Sequence, residues 1–587
     1  MRADVHRRTL GRVKGGLLQL PFLRNYAEPM VSKQAAYSRT LRRLAASCDD
    51  YVASRGIRPH LRVLWSPGFN INAFLWVHDG LLSSALRVRG CEIQPMMCGG
   101  MPVKECLVYG GLWTGHTIDL EEHVDSCGSQ FKQNCANCVR SDVSMWKDTW
   151  GHDPIDIAKR ILPGDVRDAE DIVASIPHDR WHEFVHGGLP FGSWAEDAVM
   201  NNYLMAYIQD HARMFPVARS YLLHMILLNG QYPSILDEYE PDRLISHNNF
   251  YYIWNPLCVA ASQRGISYYT YWMGGLRDSW AYHRDCPASE TNLDETWETW
   301  KTLVLSDEQN AKLDKYLAER QQGHTLLLDT TRPLGEGDEV AALRALVDRL
   351  DRSKPTFLLA SNVCWDAAAL NKEAQFENMI RGVIETVKLF GRHPDYQLIV
   401  KPHPTEEYPT IPITTHRVSQ ELRRYLGDPP PNVFLLDVEV PISLYSLADY
   451  VDAAVVYTST VGIEMAMMGK PVITFGRSYY RGKGFTFDTP DVQTYERIIE
   501  KVAEEPDSET DRQERIRLSR NFFFLHYFHF HIRSGMYSYD DYDNYPEVHV
   551  SSAHDILPGK NKYLDYICDS IIEGKPVFSA DRWPPES

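Results

Sequence analysis

The run from Tyr457 to Phe475, YTSTVGIEMAMMGKPVITF, constrains the fold more than any other part of this chain. The residues from Ala453 to Tyr457 are apolar and include two valines, which predicts a short buried strand. Val461 to Met468 then has helical spacing, and Gly469 and Pro471 end the helix before the next apolar run. A buried strand, a tight turn, a short helix and a second buried strand are typical of a parallel α/β sheet.

The turn between this strand and helix carries the hydroxyls of Thr458, Ser459 and Thr460. Unpaired N–H groups and the positive end of the helix dipole favour a phosphate there, and we include Gly462 in the same predicted site. Glu464 lies one turn into the helix, where a carboxylate can accept ribose hydroxyls, as acidic residues do in dinucleotide-binding folds. The alternative is an ordinary helix N-terminus, with Thr458 or Ser459 as N-cap and Glu464 favouring the dipole.

A second strand end, LIVKPHP from Leu398 to Pro404, carries basic residues. Gln397 to Val400 reads as the strand, and the two prolines restrict the backbone on either side of His403. Lys401 offers a positive charge, and His403 can hydrogen-bond to, or protonate, a leaving phosphate near neutral pH. A histidine between prolines is otherwise an ordinary turn residue. Two polar loops at strand ends together indicate a nucleotide-sugar site.

Strand and helix signals alternate in two blocks, which predicts an α/β protein with two Rossmann-like domains facing a cleft. The first block opens at Leu61–Trp65 without a GxGxxG loop, so dinucleotide binding there has no support. The second opens at Thr356–Ser361. We predict a basic N-terminal extension, an N-terminal Rossmann-like acceptor domain, a C-terminal Rossmann-like donor domain, and a C-terminal helix and tail. Their ranges are 1–50, 51–320, 321–510 and 511–587.

Four segments of the C-terminal half occur together: FLLASNVCWDAA (Phe357–Ala368), KPHP (Lys401–Pro404), TSTVGIEMAMMGKPVITFG (Thr458–Gly476) and YYRGKGFTFD (Tyr479–Asp488). In this order they resemble the capsule polysaccharide biosynthesis glycosyltransferases, a group that includes Kdo transferases. The resemblance implies a GT-B fold, metal-independent transfer from a nucleotide sugar, and a helix near 512–534 that crosses back to the N-terminal domain. It also implies that His403 and the Thr458–Thr460 turn bind the donor phosphate and Glu464 the ribose.

A basic loop, Arg477 to Gly484, follows the strand at Val472–Phe475 and leaves the sheet beside the predicted donor turn. Its glycines let the backbone bend, so we expect Arg481 and Lys483 to project into the cleft. Arg481 suits bidentate contact with a sugar carboxylate or phosphate, whereas Lys483 supplies only a point charge. The alternative is a solvated basic loop.

An inverting transfer needs a group that takes the proton of the acceptor hydroxyl, and we expect it from the N-terminal domain. Asp79, His186 and Asp278 are candidates by residue type and loop context. Gly187 and Gly188 follow His186 directly, and Gly274 and Gly275 come shortly before Asp278, which lets the backbone approach a ligand closely. Each of the three is otherwise an ordinary structural polar residue.

Five of the eleven cysteines cluster in the first third of the chain: Cys98, Cys106, Cys127, Cys135 and Cys138. In a cytosolic chain such clustering favours thiolate ligation over disulfides, and a structural zinc or iron–sulfur cluster would use four of the five. Reduced structural thiols are the alternative. We interpret the aromatic run from Phe522 to Arg533 as a buried helix rather than a metal site, because His526 and His529 share a helix face and His531 does not.

Charge and hydropathy bear on location. The net charge is −17, yet the first fifty residues hold ten Lys/Arg against four Asp/Glu. No apolar run reaches the roughly 18 residues of a membrane span, and Leu17–Leu23 is too short for a signal peptide, so we expect a cytoplasmic protein. The basic arm could contact anionic lipid at the inner face of the membrane; a solvated extension is the alternative. Nothing in the acidic remainder suggests nucleic-acid binding.

Three functions fit the sequence. The first is an inverting glycosyltransferase that moves a sugar, such as a Kdo-like sugar from a CMP donor, to a surface polysaccharide or lipid-linked glycan. The second is a CDP-alditol phosphotransferase of the teichoic-acid type, which resembles this half in its HP and Ser/Thr loops. The third is a non-catalytic GT-B-like protein that binds a glycan or acts as a scaffold.

Overall fold

The computed structural model describes residues 21–68, 73–101, 103–108, 110–114, 120–248, 251–288, 290–321, 336–407, 412–539, 546–584 and 586. Side chains are described outside 21–37, 113–114, 120–130, 321 and 336–337. The strands are β1 (Leu61–Trp65), β2 (Cys91–Met97), β3 (Ile155–Asp156), β4 (Arg243–Ser246), β5 (Ser267–Met273), β6 (Trp280–Arg284), β7 (Thr356–Ala360), β8 (Gln397–Lys401), β9 (Val433–Leu435), β10 (Ala453–Val456), β11 (Val472–Thr474), β12 (Phe487–Asp488), β13 (His531–Ile532), β14 (Tyr537–Ser538) and β15 (Glu547–Val548).

The helices are α1 (Pro21–Arg55), α2 (Ala73–Arg87), α3 (Leu120–Val143), α4 (Pro163–Ala174), α5 (Phe191–Asn202), α6 (His211–Tyr239), α7 (Asn255–Gln263), α8 (Asp294–Trp300), α9 (Asp307–Gln321), α10 (Glu336–Val347), α11 (Met379–Arg392), α12 (Val418–Leu426), α13 (Leu444–Leu447), α14 (Val461–Met467), α15 (Val492–Glu504), α16 (Glu509–Phe524) and α17 (Lys562–Glu573). Within the described part of the chain, none of them is both long and apolar enough to span a membrane.

The N-terminal sheet has seven strands in the order β13-β6-β5-β4-β1-β2-β3. Strands β3, β2, β1, β4 and β5 are parallel, and β6 and β13 add antiparallel partners at one edge. Because β1 lies between β2 and β4, its connection and that of β4 leave in opposite directions, as in a doubly wound sheet. One face packs on α6, and the other packs on α1, α2 and α17.

The C-terminal sheet has six parallel strands in the order β12-β11-β10-β7-β8-β9. Numbered from its own first strand, this is the 3-2-1-4-5-6 order of the Rossmann fold. Its hydrophobic strands are buried on both faces, which is what a parallel sheet covered by helices requires. The sequence prediction of two Rossmann-like domains in a GT-B-like arrangement is confirmed.

The chain returns to the N-terminal domain after α16, which confirms the predicted crossing. After α16 the chain passes through a π-helical segment, Leu525–Phe530, and enters β13, where His531 pairs with Ala281 of β6. Helix α17 then packs on α2, and Arg89 forms an ion pair with Asp565. The aromatic run is buried as expected, but it is not one continuous helix, because its last residues join a sheet.

The two domains also meet along a seam beside α5. The Thr415 N–H donates to the Leu204 carbonyl at 3.0 Å, and Asn371 donates to both oxygens of Asp197. Leu204 packs in the same core as the C-terminal sheet. At the other end of the chain, α1 runs through the boundary expected at residue 50, because Leu41 and its neighbours on that helix are buried in the N-terminal core.

Candidate functional site

The C-terminal sheet has its topological switch point between β7 and β10, and a ligand of a doubly wound sheet binds at that point beyond the strand ends. The loops that follow β7, β8 and β10 are tied together there. The Thr458 N–H donates to Asn362 Oδ1 at 3.1 Å, and the His403 N–H donates to Ser361 Oγ at 3.2 Å. The structure therefore brings His403 and the Thr458–Thr460 turn to one rim.

His403 is half-buried on this rim, and its ring has a defined proton arrangement. The Thr405 N–H donates to His403 Nδ1 at 3.2 Å. Because Nδ1 accepts a hydrogen bond, the neutral ring carries its proton on Nε2. In that form the imidazole can donate a hydrogen bond to an anionic oxygen.

Lys401 ends β8 with its side chain only 8% exposed. Among the described residues, its Nζ has no hydrogen-bond or ion-pair partner within contact distance. Burial lowers the pKa of Lys401 from its ordinary value to about 8, and the Glu339 carboxylate offsets part of that shift. The Glu339 carboxylate itself accepts hydrogen bonds from the Ser443 N–H and Ser446 Oγ. The strand end therefore holds a buried cation that an anionic ligand would stabilise.

We expect Lys401→Met to stabilise the unliganded protein at pH 7 by about 3 kcal/mol, from 1.36 kcal/mol per pKa unit. The folded state disfavours the lysine proton, so wild-type stability rises between pH 8 and the ordinary lysine pKa, and the difference between the two proteins shrinks over that range. Urea unfolding at pH 7 and pH 10 measures both. Lys470→Met is the control, because Lys470 Nζ donates to the Val451 carbonyl at 2.8 Å and should give no gain. A Lys401→Met protein that is less stable than wild type at pH 7 contradicts this account.

In the predicted donor turn, Thr458–Thr460, one side chain makes contacts inside the protein and the other two lie on the rim. Thr458 is buried and its hydroxyl donates to the Ala368 carbonyl at 2.6 Å, so this hydroxyl holds two loops together rather than facing a ligand. Ser459 and Thr460 are partly exposed on the rim. Gly462 makes room for a side chain of the protein, because a Cβ there would lie 2.3 Å from the Tyr480 hydroxyl. The Tyr480 hydroxyl donates to the Ser459 carbonyl at 2.6 Å and fixes the turn.

Glu464 lies one turn into α14 as expected, but it does not face the cleft. Its side chain is fully buried, and its two oxygens accept hydrogen bonds from Tyr316, Tyr445 and Arg320. The cause is α9, which covers α14 and brings Tyr316 and Arg320 onto the carboxylate. The predicted contact with ribose is therefore not supported by this geometry, since a ribose would have to displace these partners.

The basic loop also differs from the prediction. The Arg481 guanidinium donates to the carbonyls of Gly476 and Thr489, so it holds its own loop closed. Lys483 is 5% exposed and forms an ion pair with Asp294 at the start of α8. Neither cation projects into the cleft, because backbone carbonyls and a carboxylate within the protein already take their donors.

On the acceptor side, Asp278 lies in the turn after β5, at the carboxyl end of the N-terminal sheet, and has a left-handed φ of 58°. Its Oδ1 accepts the Tyr539 N–H at 2.9 Å. The neighbouring glycines, Gly274 and Gly275, make room for side chains of the protein and not for a ligand. A Cβ on Gly275 would lie 2.4 Å from the Tyr527 ring, and one on Gly274 would lie 3.0 Å from the His531 ring.

The other two candidate bases, His186 and Asp79, each have structural contacts of their own. His186 lies in a tight turn closed by Leu189, before the start of α5. Asp79 lies inside α2 and is fully buried, and its Oδ2 lies at hydrogen-bond distance, 2.7 Å, from His247 Nε2.

Sequence reasoning missed several residues of the rim. Ser361 and Asn362 follow β7 directly. Two polar residues after a buried strand could have indicated from the sequence that they belong to the site. Tyr479 and Tyr527 had no local signal, because a long-range chain crossing places Tyr527 beside the donor turn. Just after β4, His247 contacts Asp79 of α2, and the local sequence gives no sign of this contact between two elements.

The cysteine cluster is partly assembled. Cys98 Sγ lies 3.4 Å from His224 Nε2, and Cys135 Sγ lies 3.4 Å from where a Cβ on Gly100 would be. Cys138 interacts electrostatically with Cys98, Cys106 and Cys135, and burial raises the pKa of the Cys98 thiol to about 12. Across the residues whose side chains are described, no three His, Cys, Asp or Glu side chains converge as a metal ion requires. The Cys127 side chain lies outside the described residues, and a metal there stays a prediction.

Comparison with known proteins bears on the C-terminal domain. Residues 310–511 match the family described as capsule polysaccharide biosynthesis protein. This segment, about a third of the chain, is similar to the capsule polysaccharide biosynthesis family. The matched segment contains both predicted donor loops and all six strands of the C-terminal sheet. No curated protein matches the sequence.

Several solved structures resemble this chain at low identity. The β-Kdo 2,7-transferase KpsC of Thermosulfurimonas dismutans is 15% identical, with a TM-score of 0.29, over 51% of this chain and 81% of its own. The β-Kdo 2,4-transferase KpsC of the same organism is 13% identical, with a TM-score of 0.28, over 51% and 83%. The UDP-GlcNAc 2-epimerase of Neisseria meningitidis, bound to UDP-GlcNAc, is 10% identical, with a TM-score of 0.24, over 79% and 98%.

Proposed function

We propose that this protein is a glycosyltransferase that moves a sugar from a nucleotide-sugar donor to a surface polysaccharide or lipid-linked glycan. The observation that carries the proposal is the rim at the β7/β10 switch point, where His403, Ser459 and Thr460 lie together within the segment that matches the capsule family. A switch point with phosphate-binding side chains is where a doubly wound sheet binds a nucleotide.

Each rim residue has a distinct role in the proposed transfer. The His403 imidazole donates a hydrogen bond to the phosphate oxygen on which charge develops as the glycosidic bond breaks, and such a bond contributes most in the transition state. Lys401 supplies positive charge beneath the loop, and its buried ammonium is stabilised when the anion binds. Ser459 and Thr460 add hydroxyl donors. In an inverting transfer, Asp278 is our candidate for the group that accepts the acceptor proton.

A nucleotide-binding screen followed by a transfer assay tests this function. Thermal-shift measurements with CMP, CDP, UDP and GDP identify the base, since a nucleotide at a hundred times its Kd stabilises the fold by about 2.7 kcal/mol. A labelled nucleotide sugar of that base is then offered with capsular or lipid-linked glycan acceptors. Transfer of the sugar supports the proposal, and transfer of a phosphoalditol supports a CDP-alditol phosphotransferase instead. Absence of any stabilising nucleotide favours a non-catalytic glycan-binding or scaffold protein.

We expect the transfer to be independent of metal. The proposed donor site neutralises phosphate with Lys401 and the His403 N–H, so a divalent cation has no necessary part in it. Initial rates should stay within about twofold when EDTA is added to an assay that has no added Mg²⁺ or Mn²⁺. A complete loss of activity that Mg²⁺ restores contradicts the proposal. Elemental analysis for zinc and iron tests the cysteine cluster separately.

The proposed donor and acceptor also bear on location. Nucleotide sugars are cytoplasmic, and a lipid-linked acceptor is anchored in the membrane, so we propose that the protein acts at the inner face of the membrane. The basic residues of the first fifty positions are our candidates for contact with anionic lipid.

A further inference from the structure

The segment that crosses between the domains has an unusual backbone. Residues Leu525–Phe530 are π-helical and connect α16, which packs on the donor-turn helix α14, to β13 of the N-terminal sheet. Short π-helical segments within helices are uncommon and occur often at functional sites. Tyr527, in the middle of this segment, is 3% exposed and touches both domains.

On the donor side, Tyr527 belongs to a chain of three hydroxyls. Its hydroxyl lies 3.0 Å from the Tyr479 hydroxyl and 3.4 Å from Thr460 Oγ1. Each hydroxyl has one proton to donate. When Thr460 donates its proton to an anion, the chain runs from Tyr479 through Tyr527 to Thr460, and each bond polarises the next.

On the acceptor side, the crossing segment and the residues that follow it hold the turn that carries Asp278. The Tyr527 ring packs against Gly275, where a Cβ would lie 2.4 Å from it, and the Gly275 N–H donates to His531 Nδ1 at 3.2 Å. Arg533 Nε donates to the Arg277 carbonyl at 2.8 Å. The position of this turn therefore depends on the position of the crossing segment.

We propose that Tyr527 is a positioning residue that couples anion binding at Thr460 to the Gly274–Ser279 turn, which carries Asp278. The inference rests on the proposed donor site, but it adds a connection between the two domains that the donor site does not require. Binding of the donor phosphate orders the hydroxyl chain, which fixes the Tyr527 ring. The ring in turn holds the backbone of the turn against the crossing segment. Tyr527 itself does not touch the reacting atoms.

Tyr527→Phe keeps the ring and removes the hydroxyl. We expect the affinity for the nucleotide that stabilises the wild type, among CMP, CDP, UDP and GDP, to fall about tenfold in calorimetry. We also expect hydrogen exchange of residues 274–279 to slow when nucleotide is added to wild type, and not to slow in Tyr527→Phe. Tyr495→Phe is the matched control, because the Tyr495 hydroxyl is buried in the C-terminal domain and its hydrogen-bond partner among the described residues is Thr386 Oγ1 at 2.6 Å.

Gly275→Ala tests the coupling from the other domain. The added methyl group overlaps the Tyr527 ring, so we expect weaker nucleotide binding although Gly275 is not at the donor turn. In the double variant with Tyr527→Phe, the loss should be clearly smaller than the product of the two single losses, because both changes interrupt one connection. If the loss of affinity in the double variant equals the product of the two single losses, the two changes act independently and the coupling is wrong.

The outcomes separate this inference from the function. If none of CMP, CDP, UDP and GDP binds the wild type, the donor site is wrong and the coupling falls with it. If nucleotide binds wild type and Tyr527→Phe equally, and exchange of residues 274–279 responds equally in both, the donor site stands and the coupling is wrong. Circular dichroism melts confirm that each variant is folded at the assay temperature.

Discussion

Replacing His403 with alanine is expected to lower turnover by about 10²–10⁴-fold while nucleotide affinity changes little. The reason is that the His403 Nε2–H, set by the Thr405 N–H on Nδ1, serves the oxygen whose negative charge grows during the reaction. An interaction that strengthens in the transition state affects turnover more than binding. Steady-state kinetics over a range of donor concentrations, together with calorimetry on the nucleotide, separate the two quantities.

Two further variants make the His403 test specific. His403→Gln retains an N–H donor of similar reach but cannot transfer a proton, so recovery of most of the activity indicates hydrogen bonding and not acid catalysis. His393→Ala is the matched control, because His393 is a surface residue stacked on Tyr396 in the same domain. Unchanged turnover in a folded His403→Ala protein removes His403 from the mechanism.

Glu464→Ala is expected to destabilise the protein by about 3–5 kcal/mol, because it leaves a largely buried arginine without its carboxylate. Arg320 donates to Glu464 at 3.1 Å, and the two side chains are 13% and 0% exposed. The hydroxyls of Tyr316 and Tyr445 lose their acceptor at the same time. Urea unfolding measures the loss. Glu385→Ala, which removes partly exposed ion pairs on α11, should cost less than about 1 kcal/mol.

The same position tests the ribose hypothesis. The combined variant Glu464→Leu with Arg320→Met removes both charges and should recover much of the stability, since apolar replacement of a buried ion pair is often neutral or favourable. We expect Glu464→Gln, once folded, to bind nucleotide with wild-type affinity. A stable Glu464→Gln protein that has lost nucleotide affinity would show that a ribose displaces the buried partners and that the carboxylate contacts the ligand.

Much of the architecture was predictable because it depends on local patterns. Leu61–Trp65 forms a strand with the bounds that the sequence indicates, and the strand predicted at Gln397–Val400 extends by one residue to Lys401, since short apolar runs between turn signals have few alternatives. Helix α6 was not predicted, and it contains Pro216 and Pro233 within its span. Prolines disfavour a helix interior locally, but burial of many apolar side chains of α6 against the sheet outweighs that cost.

The candidate site divides along the same line. The sequence by itself determined which loops follow buried parallel strands, so it located His403, Ser459 and Thr460 at one sheet edge. Only the tertiary structure decided where the longer side chains end. Glu464 and Lys483 turn to partners on α9 and α8, Arg481 turns to its own loop, and Tyr527 reaches the donor turn from the crossing segment. The physical reason is that a flexible charged side chain takes the partner that compensates its burial, and for Glu464 and Lys483 that partner comes from a distant part of the chain.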